Sequence, residues 1–203
     1  MVRIDYYLTV LSPYVYLAGS RPAEIAARFG RDLRYLPLDG NALFARTGGL
    51  ALKDRHESRK NYRLQDLRRQ SHKLGMPLNP APAHWPVNPV PASYALIAAQ
   101  AAKDAGQSEG DLALYLKAIT RAIWAEERDI SQDEVIRSAL SEAGFDPNLA
   151  ERGLWTAADR YEANLEEAVS NGVFGAPFFV VGEEKFWGQD RLDDLELHLA
   201  GQL

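Results

Sequence analysis

Strand-like patterning stands at the two ends of this chain and not in between, and this constrains the fold more than any other feature. Residues 3–10, RIDYYLTV, alternate Ile4, Tyr6, Leu8 and Val10 against Arg3, Asp5, Tyr7 and Thr9, the period-two pattern of a strand. Residues 32–39, DLRYLPLD, are a second apolar run of strand length. Between them YVYLAGSRPAEIAARFG reads as helix stopped at Gly30, with Pro22 forcing a kink or a restart capped by Ser20 or Arg21. That crossover is long enough for the two strands to run parallel. The next strand pattern comes only at 178–181, FFVV, followed by a turn at Gly182-Glu183-Glu184 and a short strand at 185–187. A final amphipathic helix puts Leu192, Leu195, Leu199 and Ala200 on one face. A sheet in this chain has to be assembled from the two ends.

The intervening sequence is helical. Residues 41–54 read as a loop around Gly48-Gly49, and 55–74 as a basic helix ending at Gly75. Residues 76–91, MPLNPAPAHWPVNPVP, carry six prolines and can be neither helix nor central strand, so they form a stiff, extended surface loop. Helices follow at about 91–105, 110–127 and 132–142, the last with Ser131 and Glu134 at capping-box spacing. Another runs over 147–171, broken near Gly153. The order is βαβ, a helical block, then αββα. This is an α/β thioredoxin-like layout with a large all-helical insertion: residues 1–40 and 165–203 form the thioredoxin-like part and 41–164 the helical insertion.

Composition narrows the function. Zero cysteines rule out a disulfide, a redox pair, a thiolate nucleophile or a Cys-ligated zinc site. A net charge of −5 argues against nucleic acid as a partner. The sequence MVRIDYYLTVL lacks the apolar run of a signal peptide, and no segment is apolar enough for a membrane span, so a cytoplasmic location is expected. His56, His72 and His84 lack metal-ligand spacing, and no metal is expected.

Three short stretches carry the candidate chemistry. Ser12, before Pro13, stands at the first strand-to-helix junction, where it could be a plain N-cap or could donate its hydroxyl to an anion such as a thiolate. Ala176-Pro177 opens the third strand, and a cis bond there would turn the Ala176 backbone N–H and C=O sideways toward a peptide-like ligand. In FWGQDRL, Gln189 and Asp190 begin the last helix, where Asp190 could be a cap or could pair with a ligand ammonium. A fourth feature is the basic stretch 53–73, with eight Lys and Arg against three acids, read either as a solvated face or as a collar for an anionic ligand. The thioredoxin layout brings the first three stretches to one end of the sheet.

The segments YYLTVLSPYVYLAGSRPAEIAARFG and GVFGAPFFVVGEEKFWGQDRL resemble the 2-hydroxychromene-2-carboxylate isomerase family, close to the kappa-class glutathione transferases. The resemblance implies glutathione as cofactor and Ser12 as the group stabilising its thiolate. It implies Ala176, with Pro177 cis, pairing with the cysteinyl part, and Trp187, Gly188, Gln189 and Asp190 holding the γ-glutamyl end. The implied reaction is a cis–trans isomerisation of a small aromatic acid, in which a thiolate adds to a conjugated double bond and leaves after rotation. A homodimer is also implied. The substrate half departs from the family. Apolar residues around Phe44 replace its usual lysine, and Gly48-Gly49 replaces a Gly-Asn pair. This leaves Phe44, Lys53, Arg55, His84 and Trp85 as candidate substrate contacts. A kappa-like transferase or peroxidase, or a redox-inactive thioredoxin-fold binding module, are the alternatives.

Overall fold

A computed structural model describes residues 3–203; the first two residues of the proposed N-terminal half, Met1 and Val2, lie outside them. Strand β1 (Ile4–Leu8) runs parallel to β2 (Leu33–Pro37), with Ile4 opposite Leu33 and Leu8 opposite Pro37. Its other edge pairs antiparallel with β3 (Phe178–Val181), Tyr6 opposite Phe179, and β3 pairs antiparallel with β4 (Glu184–Trp187). The order is β2-β1-β3-β4, so the N-terminal and C-terminal segments build one sheet. Pro37, which cannot donate to a ladder, closes an edge strand, where it is tolerated.

Between β1 and β2 the expected helix is divided into α1 (Pro13–Ala18) and α2 (Arg21–Arg28). Gly19, at φ +57, ends the first, and Ser20 occupies the N-cap position of the second with Pro22 in its first turn. The Ser20 hydroxyl donates to Glu24 (2.5 Å) and accepts no backbone N–H of the helix.

The two central strands, β1 and β3, are covered on both faces, while β4 leaves Lys185 and Trp187 exposed. Tyr6, Leu8, Tyr35, Phe179 and Phe186 face a core shared with α1, α2, α5 (Val90–Asp104), α6 (Leu112–Trp124), α7 (Asp133–Glu142) and α10 (Leu192–Leu199). Leu96, Tyr115, Ile119 and Trp124, all in the helical block, belong to this same continuous cluster. Tyr7, Leu36, Phe178 and Val180 face the other way, under Leu43 of α3 (Gly40–Thr47) and Ala168 of α9 (Leu154–Ser170). Tyr7 alternates with the apolar set in the sequence yet is fully buried, because α9 covers it. Its hydroxyl is satisfied there: it donates to Glu167 (3.3 Å) and accepts from Asn171 (2.8 Å). Beside it Arg34 pairs with both Asp5 and Glu167.

The structure corrects three expectations. The loop at 41–54 contains α3 and a 3-10 turn, Leu52–Asp54. The Asp39 carboxylate accepts from the N–H groups of Asn41 (2.8 Å) and Ala42 (3.1 Å), and Gly48 ends the helix at φ +79. The capping box at Ser131 does not form, because Asp129 accepts both the N–H (2.9 Å) and the hydroxyl (2.7 Å) of Ser131, and Gln132 takes the N-cap position. In α10, Leu192 and Leu195 are buried and Leu199 packs on the core, but Ala200 is the exposed C-cap.

The remaining helices, α4 (Glu57–Leu74) and the short α8 (Leu149–Arg152), match the basic helix and the break before Gly153. The proline-rich segment is pinned at several points. Pro77 accepts from the Tyr16 hydroxyl (2.5 Å), Asn79 donates its N–H to Trp124 (2.7 Å), and the Glu127 carboxylate accepts from the Ala83 N–H (2.8 Å).

Candidate active site

Ser12 caps α1 and also faces the other end of the chain. Its Oγ accepts from the Val15 N–H and donates to the Ala176 carbonyl, both at 3.4 Å. Contacts of that length are weak, so the hydroxyl proton is readily redirected to a stronger acceptor.

The Ala176–Pro177 bond is cis. Pro177 accepts from the Gly188 N–H (2.9 Å), one rung beyond the Phe178–Trp187 pair, which ties this loop to the turn after β4. The Ala176 N–H has no partner among the described residues, and its carbonyl has only the long contact from Ser12. This backbone edge fits a peptide-like ligand such as glutathione.

Two glycines matter here, Gly175 by contact and Gly188 chiefly by its backbone conformation. A Cβ on Gly175 would lie 2.4 Å from Trp187 Nε1, and one on Gly188, at φ +109, would lie 2.4 Å from Asp190 Oδ1. Gln189 is buried and fully engaged. Its Oε1 accepts from Arg21 (2.6 Å), its carbonyl accepts from the same guanidinium (3.2 Å), and its Nε2 donates to Gln70 of α4 (3.1 Å). Asp190 does not cap α10, whose N-cap residue is Arg191; it sits in the preceding 3-10 turn with an exposed carboxylate, 3.6 Å from Arg191. Gln189 therefore ties this turn to α2 and α4, while the Asp190 carboxylate stays exposed. The indole of Trp187 is half-exposed, edge-on to Phe174 at 4.9 Å.

The inner face of α4 closes the opposite side. The Tyr14 hydroxyl donates to Asp66 (3.0 Å); burial, then the Asp66 charge, push its pKa well above the usual phenol value and keep it protonated. Trp85 donates its Nε1–H to the Leu11 carbonyl (3.3 Å), next to Ser12, and the Arg63 guanidinium lies 5.5 Å over its ring. Arg55 lies 5.4 Å over the Phe44 ring and donates to the Leu50 carbonyl (2.9 Å). Lys53 is exposed and bonded to none of these groups. His84 is exposed on another side, facing the carboxylates of Glu127 and Asp129.

Ser12, Ala176, Pro177, Gly188, Gln189 and Trp85 thus form one bonded neighbourhood, with Trp187 and Asp190 flanking Gly188 and Gln189, and Arg55 and Phe44 beside it. Arg21, Asp66, Gln70 and Arg63 escaped the sequence reading. The signal for the last three is positional: Arg63, Asp66, Leu67 and Gln70 are spaced i, i+3, i+4, i+7, one inward face of α4. Among the described residues no group of His, Asp and Glu is placed to hold a metal ion, and no helix is long and apolar enough to cross a membrane.

Residues 3–200 match the family model of DSBA-like thioredoxin domains. A 2-hydroxychromene-2-carboxylate isomerase from Pseudomonas putida is 30% identical over 198 residues, covering 95% of this chain and 92% of that protein. The chain belongs to the 2-hydroxychromene-2-carboxylate isomerase family. A member from Sphingobium xenophagum is 28% identical over 97% of both chains. A solved structure of a 2-hydroxychromene-2-carboxylate isomerase superposes with a TM-score of 0.78 at 26% identity, covering 98% of this chain and 94% of that one. The family's fold is therefore kept over nearly the whole chain.

Proposed function

We propose that this protein is a glutathione-dependent cis–trans isomerase. Its substrates would be 2-hydroxychromene-2-carboxylate and trans-o-hydroxybenzylidenepyruvate, or a similar unsaturated aromatic acid. The observation that supports the reading is the meeting of the Ser12 hydroxyl with the carbonyl of Ala176, whose N–H has no partner among the described residues, in a chain similar over 95% of its length to such an isomerase.

When bound, glutathione supplies the thiol whose anion adds to the conjugated double bond and leaves after rotation. The chain's own residues bind and orient. Ala176 N–H and C=O pair with the cysteinyl backbone. Asp190 takes the α-ammonium, and Gln189, held by Arg21 and Gln70, fixes the turn that presents it. As the Ala176 carbonyl turns to the ligand, the Ser12 proton is released toward sulfur, where a hydrogen bond to the charged form lowers the thiol pKa. The Trp187 ring walls the γ-glutamyl end. A homodimer belongs to the same reading; Leu154 and Trp155, exposed at the start of α9, offer an apolar surface for it.

The test is glutathione titration, followed by ultraviolet assay of the chromene-carboxylate interconversion with and without glutathione. Absence of saturable glutathione binding sinks the proposal. Binding without isomerisation points instead to a transferase or peroxidase that uses the same thiolate.

A further inference from the structure

Among the part-buried arginines of this fold, some are matched by acceptors and some, Arg31 and Arg63 among them, are not. Arg34 pairs with Asp5 and Glu167, and Arg21 donates to Gln189 and to the Leu17 carbonyl. Arg63 is different: it is half-buried, and among the described residues it makes no hydrogen bond or ion pair. Its charged and titratable neighbours are Tyr14, which is protonated, and Arg55, which has the same charge. Arg55 is also half-buried, and its one acceptor is the neutral Leu50 carbonyl. Burial first, and then a like charge, that of Arg59 for Arg55 and that of Arg55 for Arg63, push both guanidiniums below their ordinary pKa. Two like charges partly withdrawn from water without a counter-ion are destabilising, and an anion between them removes that cost.

Location indicates which anion. The Trp85 ring under Arg63 is bonded to Leu11, the residue before Ser12, and Tyr14 is two residues beyond it. Phe44 and Trp85 back the two guanidiniums with apolar rings, leaving their N–H forks for a planar, bidentate acceptor. We infer that Arg55 and Arg63 form a clamp for the carboxylate of an aromatic acid and hold its double bond beside the sulfur facing Ser12. The inference rests on the isomerase reading for the identity of the acid, but not for the existence of the clamp.

The experiment is calorimetric titration with trans-cinnamate and with its neutral isostere cinnamide, glutathione being absent. The chains compared are native, Arg63→Gln, Arg63→Lys and Arg55→Gln, and glutathione affinity is measured separately for each. The native chain is expected to prefer cinnamate by about ten- to a hundredfold, the range of a charge-assisted hydrogen bond. Arg63→Gln and Arg55→Gln should abolish most of that preference while glutathione affinity stays within about twofold, which also shows that the variants are folded; Arg63→Lys should keep part of it. The clamp is overturned if the native chain does not distinguish the two ligands or if Arg63→Gln keeps the preference. It is equally overturned if Arg63→Gln loses glutathione instead, which would assign Arg63 to the carboxylates of glutathione. A native chain that prefers cinnamate yet shows no glutathione-dependent interconversion keeps the clamp and removes the isomerase reading.

Discussion

Replacing Gln189 with alanine is expected to loosen the site from behind. The side chain is buried, so no water replaces what it loses. It gives up a charge-assisted bond from Arg21 (2.6 Å) and a neutral one to Gln70 (3.1 Å). At about 1.5–3 kcal/mol for the first and about 0.5–1.5 for the second, the stability loss is about 2–4 kcal/mol. In a chain of this length each kcal/mol moves Tm by roughly 2–4 °C, so a fall of roughly 5–15 °C is expected by calorimetry. Gln189→Glu should keep most of the stability, since a carboxylate accepts from Arg21 and from a flipped Gln70 amide. Glutathione affinity should fall in the alanine variant even where it remains folded, because the turn bearing Asp190 loses its anchor. A Tm within about 2 °C of the native value, with glutathione affinity unchanged, would refute the assignment of Gln189 as the anchor between α2, α4 and this turn.

Gly188→Ala places a methyl 2.4 Å from Asp190 Oδ1 at φ +109, so glutathione affinity should drop at least about tenfold, read by titration, with a stability loss of about 1–3 kcal/mol from the backbone conformation. Asp190→Asn removes the charge that meets the ligand ammonium and should weaken glutathione binding while leaving Tm nearly unchanged, as expected for an exposed carboxylate. Burial pushes the Tyr7 hydroxyl up to about 12, above the ordinary value near 10. The folded state therefore keeps a proton that the unfolded state loses, and this contribution is full below pH about 10 and declines as pH rises toward 12. Urea midpoints should fall across that window, and Tyr7→Phe should flatten the fall.

The fold was legible because its strands and their connections are local patterns. The run at 3–10, the Pro22 restart and the FFVV hairpin each carry their own stop signals, and one sheet accounts for all of them. What was lost was decided by competition between neighbouring polar groups. Asp39 caps a helix where Gly48-Gly49 reads as loop, and Asp129 takes the hydroxyl that Ser131 would need to cap α7. Ser12, Ala176 and Gln189 could be anticipated because the thioredoxin layout gathers them. Arg63 and Asp66 are legible only as part of the basic stretch 53–73 and do not stand out singly, because α4 has a single buried residue, Leu67, and hydrophobic periodicity says little about a helix whose inner face is polar. His84 and Trp85 are adjacent in sequence, yet only Trp85 reaches the Ser12 junction.

The central claim is that the Ser12 hydroxyl holds the thiolate of bound glutathione, and the most direct measurement is the pKa of that thiol, followed by its ultraviolet thiolate absorbance against pH in the native chain and in Ser12→Ala. A hydrogen bond to a charged acceptor contributes about 1.5–3 kcal/mol, so the variant should titrate roughly one to two pH units higher and turn over more slowly. The lost contact to Val15, at 3.4 Å, should cost only about 0.5–1 kcal/mol of stability, the low end for an N-cap. An unchanged titration midpoint, with only that small stability loss, would make Ser12 a cap and nothing more.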